Sequence, residues 1–178
     1  MKKYAAFLRA INVGGHTVKM DYLKSLFEDL DFKNVETFIA SGNVIFESAE
    51  SNKVKMENQI ENYLLENLGY ETITFIRNIS EFKEIINYKA FTQKKYDEAV
   101  SNNIGFIKKP LDSDSLKILK SLETDNDDFN TFKTEVYWIC KTGQSKSTFS
   151  GNLFERKLKK SITIRGLKTI KRLNEEYS

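Results

Sequence analysis

The first 79 residues alternate between apolar runs typical of strands and apolar stripes at helical spacing. Ser41-Gly42-Asn43 separates two short β-rich runs and predicts a tight hairpin turn, because Gly accepts positive φ. The predicted elements, in order, are a strand at 4–11, a helix at 20–30, strands at 35–40 and 44–46, a helix at 56–68 and a strand at 72–77. This β-α-β-β-α-β order predicts a ferredoxin-like subdomain over residues 1–79.

The same order recurs in the second half of the chain. Residues 80–103 predict a short helix at 80–88 followed by a polar linker at 92–103. The later elements are a strand at 104–108, a helix at 116–122, strands at 129–133 and 136–140, a helix at 149–158, a strand at 162–165 and a helix at 167–173. We therefore expect an α+β protein of two tandem ferredoxin-like (βαββαβ) subdomains with antiparallel sheets, the second at 104–178 and closed by a C-terminal helix. This duplication is inferred from element order alone.

The topology of the first subdomain indicates a candidate site. The first two strands of such a unit run parallel, so the loop after the first strand and the hairpin tip emerge at one end of the sheet. The residues brought together there are Asn12, Gly14, Gly15, His16, Ser41, Gly42 and Asn43, with Arg9 at the strand end. Glycine loops that lead into a helix can present backbone N–H groups to an anion. The alternative is that the glycines only reverse the chain and the asparagines bond their own turns.

In the second half, Lys146 and Arg165 are the cationic candidates, each in or next to a loop that leads into a predicted helix. Ser145 lies beside Lys146, but a Ser-Lys nucleophile needs a spatial contact that lowers the Lys pKa. His16 is an alternative general base with no identifiable carboxylate partner. Dinucleotide and phosphate-loop fingerprints are absent from the sequence, so no motif implies a metal or nucleotide cofactor.

Composition narrows the class of protein. The single Cys140 excludes an intramolecular disulfide, and the single His16 excludes metal sites that need several imidazoles or thiolates. No apolar run reaches the length of a membrane span, and Arg9 and Asn12 interrupt the N-terminal apolar segment too early for a signal peptide. We expect a soluble, cytoplasmic protein without membrane contact, whose oligomeric state the sequence does not indicate.

Charge is unevenly distributed along the 178 residues. The formal net charge is +3, yet residues 141–178 hold 10 Lys and Arg against 3 Glu, a net +7, which leaves −4 for the rest. This basic segment could attract a phosphate, a nucleic acid or an acidic partner. We favour a solvated helical face, because the aromatic and basic residues of RNA-recognition modules are not interleaved here.

Three segments resemble the bacterial domain-of-unknown-function family 1697. They are residues 9–16 (RAINVGGH), residues 38–46 (FIASGNVIF) and a C-terminal part with Ser145-Lys146 and residues 154–158. The positions that match the family motifs are Arg9, Asn12, Gly14, Gly15, Ser41, Gly42, Asn43, Ser145, Lys146, Thr163, Arg165 and Thr169. Two features differ from the family pattern: Ala10 stands where Gly is usual, and Gly166-Leu167-Lys168 replaces Asn-Trp-Asn. The resemblance implies two ferredoxin-like subdomains and no established activity.

The sequence leaves the function open between different classes. We rank first a non-catalytic binding protein for an anionic ligand, either a phosphorylated small molecule or nucleic acid, that uses the glycine loops with Arg9, Lys146 and Arg165. The alternatives are a small cofactor-free enzyme acting on an anionic substrate through His16 or Ser145, or a protein-interaction module.

Overall fold

The computed structural model describes residues 1–12, 14–39 and 42–178. This part of the chain divides into two compact units, Met1–Phe82 with Tyr177–Ser178, and Lys83–Glu176. The finer division into 1–79, 80–103 and 104–178 stays a prediction. None of the helices in the described ranges combines the length and the apolar character needed to cross a bilayer.

The first unit is a four-stranded antiparallel sheet with two helices on one face. Its elements are β1 (Lys2–Arg9), α1 (Met20–Glu28), β2 (Lys33–Thr37), β3 (Asn43–Ser48), α2 (Lys53–Leu68) and β4 (Ile73–Asn78). The strand order is β2-β3-β1-β4. The buried positions Leu23, Leu26 and Phe27 lie on one side of α1, and they pack with alternate residues of β1 and β3 into one hydrophobic core.

The second unit repeats this arrangement with the order β6-β7-β5-β8. Its elements are α3 (Phe82–Asn87), α4 (Gln93–Glu98), β5 (Ser101–Phe106), α5 (Ser113–Ser121), β6 (Asp127–Phe132), β7 (Glu135–Cys140), α6 (Gly151–Leu158), β8 (Thr163–Gly166) and α7 (Leu167–Tyr177). Trp138, Phe149 and Phe154 lie at the centre of its core. The predicted pair of ferredoxin-like subdomains is therefore confirmed.

The main local difference from prediction lies at residues 92–103. The polar stretch expected to be a linker contains α4 and the first residues of β5. No residue of α4 is buried, so it has no apolar stripe that the pattern could show. The first three residues of β5, Ser101, Asn102 and Asn103, are polar, so the hydrophobic pattern did not indicate the start of the strand.

Side chains cap backbone N–H groups at three of the four sheet edges. In β4, in β6 and at the residue before β8, outward-facing backbone N–H groups donate to side-chain oxygens, where a further strand would otherwise supply carbonyl acceptors. These bonds are Thr74 to Glu61 (2.7 Å), Ile76 to Glu57 (2.9 Å), Asp127 to Thr124 (3.0 Å), Thr131 to Asn130 (2.8 Å) and Ile162 to Glu155 (3.2 Å). The fourth edge, β2, has an irregular register between Lys33 and Glu36. Such caps and bulges keep edge strands from pairing with other chains.

Candidate functional site

The loop after β1 contacts the β2–β3 hairpin, as the topology predicts. The Leu8 N–H donates to the Gly42 carbonyl over 2.8 Å. Gly42 has φ +75°, and a Cβ at this position would lie 2.6 Å from Cγ2 of Ile11. The close approach thus requires a residue without a side chain. Ser41, also predicted for this site, lies outside the described residues.

The side chains of Asn12 and Asn43 shape these two segments. Oδ1 of Asn12 accepts a hydrogen bond from the Val18 N–H over 2.7 Å, which closes the loop before α1. Asn43 is fully buried, and its Nδ2 donates to the Phe38 carbonyl over 2.9 Å. Both side chains therefore help to build the loop and the hairpin.

The remaining predicted residues of the first unit differ in exposure. Gly14 and Gly15 are exposed, with φ of +64° and +85°, and they carry the chain towards α1. Arg9 ends β1 opposite Ile73 of β4 and is partly buried. It follows Leu8, a core residue, so its side chain lies on the sheet face opposite the helices.

A groove of about 390 Å³ opens at the N-terminus of α1. Its lining residues are His16, Thr17, Val18, Lys19, Tyr22, Asn67, Leu68 and Tyr70. Lys19 is the N-cap residue of α1, and in the described part of the chain no side chain accepts a hydrogen bond from the first turn. By contrast, Asn52, Asp112 and Ser150 cap α2, α5 and α6 with side-chain oxygens. The first N–H groups of α1 therefore lack the usual side-chain acceptor.

His16 forms one wall of this groove with Tyr70. The two rings stack with centroids 4.1 Å apart and an interplanar angle of 22°. The Tyr70 hydroxyl donates to the Ile11 carbonyl over 2.8 Å, and burial raises the pKa of Tyr70. Tyr70 thus links the position of the His16 ring to the loop after β1.

Sequence reasoning missed Lys19, Tyr22, Asn67 and Tyr70 as groove residues. The topology contains the signal that could have found Tyr70. β4 runs antiparallel beside β1, with Ile73 opposite Arg9, so the chain entering β4 must pass the loop that leaves β1. Tyr70 lies three residues before β4, directly after the α2 cap Gly69.

In the second unit, the predicted residues lie at one end of the sheet. Ser145 and Lys146 are exposed on a 3₁₀ turn, Gln144–Lys146, that follows β7. The register pairs the end of β7 with the start of β5, Cys140 opposite Ser101, and pairs the end of β8 with the same part of β5, Gly166 opposite Asn103. The turn and Arg165 therefore share this end of the sheet, with β5 between their strands.

Arg165 is held by its own strand. Its guanidinium donates to Oγ1 of Thr163 over 2.8 Å and to the Ile164 carbonyl over 3.0 Å. Burial lowers the pKa of Arg165 to about 10, so the side chain remains charged at neutral pH.

Asp127 is a buried carboxylate that sequence reasoning also missed. Its Oδ1 accepts hydrogen bonds from Nε1 of Trp138 (2.8 Å) and Oγ of Ser147 (2.7 Å), and its Oδ2 accepts from Oγ1 of Thr124 (2.9 Å). Burial alone would raise the pKa of Asp127, but these hydrogen bonds outweigh it and lower the pKa below its ordinary value. Asp127 therefore fixes Ser147 at the end of the turn that carries Ser145 and Lys146.

The described ranges contain no cluster of side chains suited to bind a metal ion. They contain no group of three or more His, Cys, Asp or Glu side chains placed to hold an ion.

Comparisons with known proteins agree with this fold and assign no activity. A family model described as "Protein of unknown function (DUF1697)" matches residues 1–137. A solved structure, that of the conserved bacterial protein SP0830 from Streptococcus pneumoniae, superposes with a TM-score of 0.73 at 22% sequence identity. The match covers 98% of this chain and 97% of that one, and at this identity it shows the fold alone. No curated protein matches the sequence.

Proposed function

The chain belongs to the DUF1697 family, whose description assigns no function, and we propose that it binds a small anionic ligand. The binding site is the groove beside α1. A phosphorylated metabolite is the ligand class that this groove fits best. His16 lines this groove and directly follows Gly14 and Gly15 in the sequence. The sequence predicts that this glycine loop meets an anion.

The observation that carries the proposal is the N-terminus of α1 without a side-chain cap, open to a cavity that also holds Lys19. Free N–H groups and the helix dipole favour negative charge at this end, and the Lys19 ammonium adds a full positive charge. Asp21, exposed in the first turn, opposes an anion, so we expect Lys19 to supply much of the affinity.

The groove also offers contacts that would orient a ligand. Its volume of about 390 Å³ lies in the range of small-molecule sites. The stacked rings of His16 and Tyr70 form a flat apolar wall, and Thr17 and Tyr22 bring hydroxyl groups. A ligand with a phosphate and a compact organic part would use both features.

No observation favours the catalytic alternative. Among the described residues, His16 pairs with no carboxylate, and its ring contact is with Tyr70. Ser145 is exposed and forms no hydrogen bond with Lys146 within the same ranges. Within residues 1–12, 14–39 and 42–178, neither side chain has the partner that would activate it.

The role of the second unit stays a prediction. Lys146 is exposed and Arg165 keeps its charge, so an anion at this end of the second sheet remains part of the proposal. Loss of binding in Lys146→Gln together with retention in Lys19→Gln would move the site to this unit.

The proposal is tested by titrating the full chain with pyrophosphate and with adenosine 5′-monophosphate in a calorimeter at two salt concentrations. We expect saturable binding that weakens with salt, because the exposed charges are screened. Lys19→Gln should weaken binding about fivefold or more, since it removes the cation beside the helix terminus. His16→Ala should weaken the nucleotide more than pyrophosphate, because only the nucleotide has a ring to stack.

Lys2→Gln is the matched control, since Lys2 is exposed in the same unit and does not line the groove. Equal affinity of wild type and Lys19→Gln for both probes would reject the groove as the site. Absence of binding to either probe at low salt would reject a general phosphate-binding role.

A further inference from the structure

A second cavity lies in the second unit, on the sheet face that α5 and α6 leave free. It is a narrow slot between strands β5 and β7 and the segment that contains α4. Its lining residues are Ile86, Tyr88, Phe91, Tyr96, Asn102, Asn103, Ile104, Tyr137, Ile139 and Leu167. Four of these ten residues are aromatic, and four more are Ile or Leu. The slot is therefore suited to a flat apolar ring.

One polar atom in this apolar slot has no hydrogen-bond partner in the described part of the chain. Oδ1 of Asn102 is buried and accepts no hydrogen bond from any residue that the structure describes. Asn102 lies opposite Ile139 in the sheet and two residues from Ile104, so its neighbours on this face are apolar. The other amide differs, because Nδ2 of Asn103 donates to Oγ of Ser101. A buried acceptor without a donor is costly and requires an explanation, such as a bound molecule.

The slot as it stands holds about 20 Å³, room for a single water molecule. A larger guest needs its cover to move, and that cover is weakly attached. α4 has six residues, none of them buried, and the side chain of its N-cap residue Thr92 does not cap the helix. Two ion pairs hold it, Lys95 with Asp128 and Glu98 with Lys141. The second pair is exposed, and exposed pairs contribute little stability. Short segments with few buried contacts open more easily than the rest of a fold.

We propose that this slot is a binding site for a small planar aromatic molecule that donates one hydrogen bond to Oδ1 of Asn102. The ring packs against Tyr88 and Tyr137, and α4, with Tyr96, moves outward to admit it. The donor requirement follows from the unpartnered oxygen, and the planar shape follows from the aromatic walls. This site is separate from the proposed anion groove, which consists of residues of the first unit.

Indole and indene test the proposal, because the two molecules have nearly the same shape and differ in one N–H donor. Each is titrated into ¹⁵N-labelled full-length protein, and affinity is measured from amide shifts. We expect saturable shifts confined to residues 86–104 and to β7, with indole binding about tenfold tighter than indene. Asn102→Leu should make the two affinities equal, and it should fold, since it replaces a side chain whose buried oxygen is unpaired with an apolar one of similar size.

A second variant addresses the cover. Tyr96→Ala removes a ring that packs edge-on against Phe91, with centroids 5.7 Å apart, and should raise the affinity for both probes by easing the opening. Asn58→Leu, at an exposed position of α2, is the matched control and should behave as wild type. Equal affinities for indole and indene in the wild type, shifts elsewhere in the chain, or no saturation up to the solubility limit would each overturn the proposal. The last result would leave a single water as the occupant of the slot.

Discussion

At the scale of single residues, Ala10 holds a backbone conformation that glycine adopts more easily. Its φ is +69°, where the Cβ of an L-residue meets steric resistance. We expect Ala10→Gly to raise the free energy of unfolding by about 0.5–1 kcal/mol, the balance of relieved strain and greater chain entropy. Urea unfolding followed by circular dichroism measures this. Ala99→Gly is the control, because Ala99 has φ −81° and should lose stability instead.

Loss of the buried Asp127 carboxylate should destabilise the second unit. In Asp127→Asn, the new amide N–H₂ replaces one of the two oxygens. It therefore faces the donor Thr124, or else the donors Trp138 and Ser147, and one acceptor is lost. We expect the free energy of unfolding to fall by about 1–3 kcal/mol at pH 7. Urea unfolding of variant and wild type gives this value. Asp125→Asn, at an exposed neighbouring position, should stay within about 0.5 kcal/mol of wild type.

The same carboxylate predicts a pH dependence. The native pKa of Asp127 lies below its unfolded value, so its stabilising effect is present above the unfolded pKa of about 4 and is lost as pH falls through the native pKa. The stability difference between wild type and Asp127→Asn should therefore narrow from about pH 4 downwards. A difference that stays constant to pH 2 would contradict the assigned pKa direction.

At the scale of elements, the contact between the β1–α1 loop and the hairpin can be measured with two glycines. Beyond its chain neighbours, a Cβ at Gly15 meets no atom of the described residues within 4 Å, so Gly15→Ala should cost about 1 kcal/mol, the effect of positive φ alone. Gly42→Ala adds a methyl 2.6 Å from Cγ2 of Ile11, and overpacking should raise the cost by a further 1–3 kcal/mol or so. Thermal and urea unfolding of both variants give the difference. Equal losses would show that loop and hairpin do not pack closely.

The closed edge of β4 gives a prediction about association. Glu57 is 4% exposed and accepts the Ile76 N–H, so Glu57→Ala leaves a buried donor unpaired and should cost about 1–3 kcal/mol. The freed edge should also favour self-association, visible as earlier elution in gel filtration at high concentration. Glu66→Ala, at an exposed position of the same helix, should change neither quantity. An unchanged elution volume for Glu57→Ala would show that the remaining contacts keep the edge closed.

At the scale of the whole molecule, the order of elements was predictable and the groove was not. Helical stripes such as Leu23, Leu26 and Phe27 follow the 3.6-residue period, so the two βαββαβ units could be deduced. α4 has no buried residue, so hydrophobic periodicity could not predict this helix. The groove brings Lys19 beside Tyr70 across 51 positions of sequence, a proximity set by tertiary packing. The predicted meeting of loop and hairpin succeeded because strand direction alone determines it.

The uneven charge of the whole chain leads to a final prediction. Residues 141–178 carry a net +7, and Lys157, Lys159, Lys168 and Lys171 are exposed. Exposed basic side chains bind polyanions without selectivity, by releasing counterions. We therefore expect single-stranded RNA and DNA to bind in about 20 mM salt and to dissociate near 150 mM. Fluorescence anisotropy of labelled oligonucleotides measures this, and a Lys168→Gln/Lys171→Gln variant should bind more weakly at low salt. Tight binding of one sequence at 150 mM salt would instead show a specific nucleic-acid site in this basic segment.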